Sequence, residues 1–401
     1  MRLLDDIRIL DFSQAMAGPY CTMMLGDLGA EVIKIERPGK GDDSRGWGPP
    51  FANLAAGLSA YFISTNRNKQ SVVLDLKTEQ GLQVARRLID HSDVLVENFR
   101  SGVMERLGLG YEQLRLRNRR LIYCSISGYG RTGPYADRPG YDVVMQAEGG
   151  LMSITGPREG PPSRVGVPIV DIAAGMFAAT GVLAALRAAE KSGQGQRVEV
   201  SLLETVLALQ TNVISNYLVD GQPPERWGND HPNLVPYGSF RASDGWLVVG
   251  VANQRQWFSF CDVIGRPEIA QEDRFQTNEA RLANRNELEN ILSEILAAKP
   301  VKVWLDRLQD AGIPSGPINT IPEALDHPQS AERSLVIEAD PDETDPLRMA
   351  GFPYSFSGNQ PEFRIPPPAL GEHTREVLID LLGYSEAEAA RFEQEQVGSS
   401  G

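Results

Sequence analysis

Cysteine and histidine are scarce in this sequence. Its 401 residues include three cysteines, Cys21, Cys124 and Cys261, and four isolated histidines. No CxxC pair and no Cys/His spacing occurs, so the sequence indicates neither a metal site nor a disulfide framework. Few, scattered cysteines are typical of a reducing compartment, and the first residues do not resemble a signal or transit peptide. We therefore expect a cytoplasmic protein.

An excess of basic residues is also absent. Lys and Arg number 39 against 53 Asp and Glu, which gives a formal net charge of -14. Proteins that bind nucleic acid use basic residues to displace counterions from phosphates, so we expect no nucleic-acid partner. The longest apolar stretch, 165–186, contains Pro168 and Asp171. Because an aspartate is poorly tolerated inside a membrane, we expect a buried helix here and no membrane partner.

Strands and helices alternate in the first half of the chain. Arg37, Asn98 and Phe99 each directly follow a predicted strand, and ligands of a parallel sheet bind at the carboxyl ends of its strands. The alternation predicts an α/β fold whose large domain is Rossmann-like, with a parallel sheet. Short apolar runs predict the strands at 7–12, 30–36, 71–76, 93–97, 121–126 and 196–200.

The second half of the chain has a different pattern. Residues 221–233 are rich in Pro, Gly and Asn, as in a hinge, and a predicted hairpin at 237–250 is followed by helices as far as Leu325. From 334 onward the sequence is rich in proline and predicts irregular structure with one helix near 372–382. We expect a large α/β domain at 1–215, a small α+β domain at 225–325, a return segment at 330–395 that packs on the large domain, and a disordered tail at 396–401.

One aspartate, Asp171, lies among apolar and small residues in 166–175. Aspartate is a common N-cap residue, so Asp171 is a candidate cap for the helix that follows. A carboxylate at a helix N-terminus, shielded from water, is also a candidate nucleophile. Both roles are compatible, because helix N-terminal amides are expected to keep the acid ionised at neutral pH. These residues alone leave both alternatives open.

The segment 36–45 follows a predicted strand and combines glycines with Arg37, Lys40 and Arg45. Close backbone approach and guanidinium groups suit phosphate binding, but a solvated turn with charges of both signs fits equally. No GxxxxGK[ST] motif supports a Walker site. The sequence has no serine in a recognisable nucleophile elbow, so it does not indicate a Ser-His hydrolase.

Seven short segments, in order along nearly the whole chain, resemble a known family. The family is the class III CoA-transferases of the CaiB/BaiF type, which includes formyl-CoA:oxalate transferase and carnitine CoA transferase. The resemblance implies an enzyme that moves CoA between carboxylic acids, with CoA as co-substrate and no permanently bound cofactor. It also implies that the large domain binds CoA and that two subunits form an interlocked, ring-like homodimer. The segments are 10–19, 25–39, 66–69, 96–99, 127–134, the surroundings of Asp171, and 370–374.

The resemblance also assigns roles to single residues. Asp171 matches the catalytic aspartate, and Met16 and Tyr141 are candidates for the acyl site. Met16 stands where formyl-CoA transferases have glutamine, and 250–257 replaces a glycine run, so both departures argue against oxalate as acceptor. The positions that match CoA contacts are Ala15, Arg37, Leu74, Asn98, Phe99 and Arg106.

The implied reaction passes through an aspartyl anhydride and an aspartyl-CoA thioester on Asp171. An α-methylacyl-CoA racemase is the nearest alternative, but it needs a histidine in a Gly-His-Asp segment for proton transfer. This chain has Gly140, Tyr141 and Asp142 there. A non-catalytic CoA-binding protein is the other alternative, and the aspartate at the catalytic position argues against it.

The substrate branch is suggested by three further segments. Residues 41–51, 66–69 and 226–228 most resemble the succinyl-CoA:glutarate branch of the family. This predicts succinyl-CoA as the donor and a dicarboxylate such as glutarate as the acceptor. Arg45 is a candidate clamp for the remote carboxylate, and a surface ion pair is the equally open alternative.

Overall fold

The computed structural model describes residues 2–52, 58–339 and 346–398. The chain forms two compact units. The first comprises the described residues within Met1–Leu151, Arg164–Gly221 and Ala331–Gly401, and the second comprises Met152–Ser163 and Gln222–Ser330. The expected large domain at 1–215 included residues 152–163, but in the structure this segment belongs to the second unit.

A sheet of six parallel strands is the centre of the first unit, in the order β3-β2-β1-β4-β5-β6. This confirms the predicted α/β fold with a parallel sheet. The strand order reverses between β1 and β4, and the loops that follow these two strands border a crevice there. The strands are β1 (Arg8–Asp11), β2 (Glu31–Glu36), β3 (Gln70–Val73), β4 (Val94–Glu97), β5 (Ile122–Ser127) and β6 (Arg197–Ser201).

Side chains of the sheet alternate between two apolar layers. Ile9 packs in a layer with α1 and α8, whereas its neighbour Leu10 packs in a layer with α3 and the C-terminal helices. Burying each such side chain stabilises the fold by about 1.5–3 kcal/mol. The helices are α1 (Ala17–Asp27), α2 (Ala60–Ile63), α3 (Glu79–Asp90), α4 (Val103–Arg106), α5 (Tyr111–Leu114), α6 (Asp142–Glu148), α7 (Leu151–Ile154), α8 (Ile169–Ser192), α9 (Leu202–Leu209) and α10 (Thr211–Asp220), with a 3₁₀ turn at Asp43–Gly46.

The long helix α8 is only half buried. Ala174, Ala178 and Val182 are fully covered, but Met176 and Phe177 on the opposite face are 46% and 45% exposed. By length and composition alone α8 could cross a membrane, and 44% of its most apolar window is buried. The expectation of a buried helix is therefore correct for one face and wrong for the other.

The second unit contains an antiparallel sheet, which confirms the predicted hairpin. Its core includes Trp257 and Trp304. The indole of Trp227 lies between the guanidinium groups of Arg158 and Arg285, at 4.3 and 4.5 Å, so the 226–228 segment fastens 152–163 to this unit. The elements are β7 (Tyr237–Arg241), β8 (Trp246–Gly250), β9 (Ser315–Pro317), α11 (Gln254–Val263), a 3₁₀ turn at Pro267–Gln271, α12 (Asn278–Ala283), α13 (Arg285–Leu296), α14 (Val301–Asp310), α15 (Ile321–Leu325) and α16 (Pro328–Glu332).

The segment after 331 is more regular than its sequence predicts. It forms the antiparallel pair β10 (Val336–Ala339) and β11 (Leu347–Ala350), then α17 (Thr374–Asp380) and α18 (Glu386–Gly398). His373 and Thr374 hydrogen-bond to the outer edge of β3, which covers this edge strand. The expected tail at 396–401 overlaps α18, because Gln396 is buried and accepts a hydrogen bond from the Asp75 N–H at 2.5 Å. Residues 399–401 lie outside the described residues.

Candidate active site

A cavity of about 340 Å³ opens at the crevice between the carboxyl ends of β1 and β4. Six of the ten residues singled out in the sequence line it, namely Ala15, Met16, Asn98, Phe99, Tyr141 and Asp171. The loops that follow β1, β4 and β5 and the first turn of α8 form its walls. The strand order brings the three loops together, although they are far apart in the sequence.

Asp171 is the third residue of α8 and not its cap. The helix begins at Ile169, and Pro168 occupies the N-cap position without a side-chain hydrogen bond. The cap comes instead from Asp142, whose Oδ1 accepts hydrogen bonds from the N–H groups of Val170 and Asp171 at 2.8 and 3.3 Å. The cap interpretation of Asp171 is therefore wrong, and its carboxylate faces the cavity.

The carboxyl group of Asp171 has an unusually high pKa. Burial, and in addition the negative charge of Asp142, raise the pKa of Asp171 to about 7. Within the part of the chain that the structure describes, the carboxylate accepts no hydrogen bond. The expectation that helix amides keep it fully ionised at neutral pH is thus wrong, because Asp142 occupies these amides. A poorly stabilised carboxylate of this kind is a good nucleophile when it is ionised.

Helix α8 can approach α1 closely because residue 175 is glycine. A Cβ atom on Gly175 would lie 2.6 Å from the carbonyl oxygen of Ala17 and 3.3 Å from the N of Cys21. Any larger residue would push the two helices apart. The glycine therefore allows Asp171, one turn earlier on α8, to lie across the cavity from the first residues of α1.

The loop after β1 has a strained conformation at Ala15, whose φ is 68°. Alanine rarely adopts this left-handed conformation. Asn98 holds the preceding residue, because its Oδ1 accepts from the Gln14 N–H at 2.9 Å and its Nδ2 donates to the Gln14 O at 2.8 Å. Among the described residues, the N–H groups of Met16, Ala17 and Gly18 donate to no acceptor. The loop therefore presents free amide donors beside the cavity.

A buried ionic cluster lies behind this loop, and sequence analysis missed it. Lys34 on β2 pairs with Asp42 at 2.9 Å, and Lys69 pairs with Asp11 at 3.1 Å, with all four side chains fully buried. Burial alone would raise the pKa of Asp42, but Lys34 lowers the pKa well below its usual range. A lysine between the apolar residues of a strand was the available signal, since buried charges are paired.

Arg45 is not available as a substrate clamp. Its Nε and Nη2 donate to Glu36 at 2.7 and 2.6 Å, its Nη1 donates to the Pro368 O at 3.0 Å, and its guanidinium stacks on Phe62 at 3.8 Å. The side chain is 10% exposed. The alternative of an ion pair fits better, although the pair is buried and not on the surface.

Three other predicted contacts do not line the cavity. Leu74 is 1% exposed and belongs to the apolar core, so it offers no surface to a ligand. Arg37 hydrogen-bonds to Asp43, a residue of the cavity wall, and to the Gly41 O. Arg106 ends α4 and is exposed.

Two arginines that sequence analysis did not single out do line the cavity. Arg100 comes directly after the Asn98–Phe99 pair, so its position past β4 was a usable signal. Arg138 lies over the ring of Tyr135 at 4.1 Å in the loop before α6, and no sequence pattern marked it. Exposed guanidinium groups of this kind suit anionic ligands such as phosphates and carboxylates.

The 66–69 segment has a structural role. Arg67 donates to Asp27 at 2.7 Å and to the Ala350 O at 2.9 Å, and the Asn68 N–H donates to the Ile365 O at 2.8 Å. These bonds fasten the return segment to the rest of the first unit. The segment thus supports the fold and does not contact the cavity.

Comparisons with known proteins agree on one family. The family model described as CoA-transferase family III matches residues 4–374. A Mus musculus protein named succinyl-CoA:glutarate CoA-transferase is 41% identical over 386 residues, which cover 96% of this chain and 88% of that protein. An Acetobacter aceti protein named acetyl-CoA:oxalate CoA-transferase is 40% identical over 370 residues, which cover 92% and 93%. A solved CAIB/BAIF family protein from Brucella suis has a TM-score of 0.84 and 37% identity, covering 95% of this chain and 100% of that one.

Proposed function

Because this chain belongs to family III of the CoA-transferases, we propose that it moves CoA from succinyl-CoA to a dicarboxylate such as glutarate, with Asp171 as the acyl carrier. The carboxylate of Asp171, with its raised pKa and its position on the cavity wall, is the observation that carries the proposal. The name of the mouse relative supports the substrate pair. The relative named for oxalate is almost as similar, so the acceptor needs a direct test.

The first half of the reaction loads CoA onto the enzyme. The Asp171 carboxylate attacks the carbonyl carbon of succinyl-CoA, the C–S bond breaks, and CoA leaves as a thiolate, which gives a succinyl-aspartyl anhydride. The thiolate then attacks the aspartyl carbonyl of the anhydride, and succinate leaves with the electron pair of the broken C–O bond. Asp171 now carries CoA as a thioester.

The second half repeats these steps with the acceptor. A glutarate carboxylate attacks the aspartyl-CoA thioester, which gives a glutaryl-aspartyl anhydride and the CoA thiolate. The thiolate attacks the glutaryl carbonyl, and Asp171 leaves as the free carboxylate. One thioester is exchanged for another, so the cycle requires no nucleotide hydrolysis.

Each tetrahedral intermediate carries an oxyanion that needs hydrogen-bond donors. Met16 and Ala17 line the cavity, and their unpartnered N–H groups are candidate donors. One preorganised donor contributes about 3 kcal/mol to the transition state. Asn98 keeps the loop in place through Gln14.

For CoA, we retain Ala15, Asn98 and Phe99 as contacts of the thioester arm, and Arg37 and Arg106 as more distant contacts. Arg100 and Arg138 join them because both cations line the cavity. Leu74 is removed, since it is buried in the core. Met16 and Tyr141 remain candidates for the acyl site.

A racemase is the less favoured alternative. A racemase transfers a proton with an acid/base pair, and one member of that pair is the histidine of its Gly-His-Asp segment. This chain has Tyr141 at the position of that histidine. No histidine is among the described residues that line the cavity. The curated relatives are also named as transferases.

We also propose that two copies form an interlocked homodimer. Large apolar side chains are exposed on α8, α9 and α10, and an apolar surface of this kind is typical of protein–protein contacts. The same surface is the uncovered face of α8. Size-exclusion chromatography with light scattering tests the stoichiometry, and a monomer at micromolar concentration would overturn the proposal. The exposed side chains are Met176, Phe177, Leu183, Leu207, Leu209, Tyr217, Leu218 and Val219.

The experiment that tests the reaction is detection of the covalent intermediate. The protein is incubated with succinyl-CoA, digested, and searched by mass spectrometry for CoA on the peptide that contains Asp171. We expect the adduct with the wild type and not with Asp171→Asn. Acceptor preference is then measured with glutarate, oxalate and monocarboxylates. Absence of the adduct with every acyl-CoA donor would overturn Asp171 as the carrier.

A further inference from the structure

We propose that Asp142 is a positioning residue for this reaction, because its carboxylate caps α8, fixes the backbone of Asp171 and supplies the charge that faces the Asp171 carboxylate. The inference rests on the proposed function, since it concerns how the acyl carrier is held. It gives the site a second acidic residue with a role of its own. Neither the sequence motifs nor the names of the relatives assign this role.

The cap spans a long distance in sequence. The first N–H groups of a helix lack partners within the helix, and Pro168 at the start of α8 supplies no side-chain acceptor. Asp142 lies 28 residues before Val170 and accepts from that N–H at 2.8 Å and from the Asp171 N–H at 3.3 Å. The backbone of the acyl carrier is therefore hydrogen-bonded directly to Asp142.

Gln146 holds the carboxylate of Asp142 from the other side. Gln146 lies one turn further along α6, and its Nε2 donates to Asp142 Oδ2 at 2.5 Å. Its Oε1 accepts from the Val165 N–H at 2.9 Å. Asp142 and Gln146 are 7% and 0% exposed. This buried pair holds the chain both before and after the turn at 166–168, so it restricts where Asp171 can lie.

The charge of Asp142 matters as well as its shape. After burial, it is the cause that raises the pKa of Asp171 to about 7. The other charged or titratable groups near Asp171 are on the cavity wall or on α2. They include two cations and two further acids, so the effect of residue 142 has to be measured with all of them in place. These groups are Asp43, Arg100, Asp137, Arg138 and Tyr141 on the wall, and Tyr61 on α2.

The test separates the cap from the charge. Asp142→Asn keeps an acceptor oxygen for Val170 and Asp171 and removes the negative charge. In this variant the new side-chain amide of residue 142 places an N–H donor opposite the Nε2 donor of Gln146. A second variant therefore combines Asp142→Asn with Gln146→Glu, which supplies an acceptor there. In that double variant the carboxylate at position 146 accepts from the asparagine amide and from Val165. The charge is then present again but farther from Asp171.

We measure kcat/KM for succinyl-CoA from about pH 5 to about pH 9, because this ratio reports the pKa of the free enzyme. Asp142→Asn is expected to move the acidic limb of the profile to lower pH by about one unit. The double variant is expected to have a limb between those of Asp142→Asn and the wild type. Asp142→Ala also loses the cap, and we expect kcat to fall on the order of 100-fold with a smaller change in KM.

Glu190→Gln is the matched control, because it makes the same change at the far end of α8, where Glu190 pairs with Arg187 on the surface. Its profile should be that of the wild type. A wild-type acidic limb in Asp142→Asn together with a wild-type kcat in Asp142→Ala, with the Asp171 adduct still formed, would overturn this inference and leave the proposed function intact. If Asp142→Asn does not fold, the double variant decides by the same criterion. Absence of the adduct in the wild type instead overturns the proposed function.

Discussion

The ammonium group of Lys34 and the carboxylate of Asp42 lie 2.9 Å apart with no exposure to solvent. Lys34 Nζ also donates to the Ser13 O at 2.8 Å, and Asp42 Oδ1 accepts from the Ala15 N–H at 3.1 Å. One ion pair therefore holds the loop after β1 on both sides of Gln14. It keeps Ala15 in a conformation that alanine does not favour by itself.

This pair should be important for stability. Removing one partner leaves a buried charge without compensation, which costs about 3–5 kcal/mol. We expect Lys34→Met to lower the free energy of unfolding by about that amount, as measured by denaturant titration. Lys302→Met is the control, because the Lys302–Asp306 pair is exposed and should contribute little. Equal stabilities of Lys34→Met and the control would contradict this account of the loop.

Arg45 is predicted to affect folding and not acceptor choice. Its guanidinium is engaged by Glu36 and the Pro368 O, and the side chains of the ion pair are 10% and 1% exposed. Arg45→Ala should destabilise the protein by about 3–5 kcal/mol, since the buried Glu36 loses its arginine partner. The ratio of kcat/KM for glutarate to that for a monocarboxylate should stay at the wild-type value. A selective loss of glutarate turnover at wild-type stability would restore the clamp.

The sequence predicted elements better than contacts. All six strands of the parallel sheet are near their expected positions. Short apolar runs between helical segments are typical of strands buried on both faces, and β6, whose charged residues alternate with valines and are exposed, is the exception. The prediction of irregular structure after 334 was wrong at β10 and β11. Among the residues that the structure describes, these strands pair only with each other, and their mixed polarity leaves no strong period to mark them.

In the candidate site, too, the sequence predicted the positions of residues better than their contacts. Asp171, Asn98 and Phe99 were found because family motifs and strand ends mark them. Asp142 and Lys34 were missed, since their roles depend on partners that are 28 and 21 residues away from them in sequence. Arg45 was misjudged for a related reason, as a charged residue in a loop carries no sign of the buried acid that will pair with it.

Asp171 should make the protein less stable as the pH rises. Its pKa is about 7 in the folded protein against an ordinary value of 3.8, so the folded state binds the proton more tightly than the unfolded state. Stability due to this group is therefore complete below about pH 4 and is lost as the pH rises through about 7. Asp171→Asn removes this loss. We expect it to equal the wild type at about pH 4 and to be more stable by about 2–4 kcal/mol at about pH 8.

Denaturant titrations of both proteins at several pH values measure this difference. Glu190→Gln serves again as the control, since it replaces an acid by its amide at an exposed position of the same helix. A constant difference between Asp171→Asn and the wild type from about pH 4 to about pH 8 would show that folding does not change the pKa of Asp171.

Arg100 and Arg138 should contribute to binding of the phosphates of CoA. A charge-assisted hydrogen bond contributes about 1.5–3 kcal/mol, so Arg138→Gln should raise KM for succinyl-CoA by about 10-fold or more while kcat stays nearly constant. Succinyl-pantetheine has the same thioester but no phosphate, and its KM should not change. Arg115→Gln, at an exposed ion pair with Glu112, is the control. Arg100→Gln, tested in the same way, separates the contributions of the two cations. An equal rise of KM for both thioesters would mean that Arg138 acts on the shape of the cavity and not on phosphate.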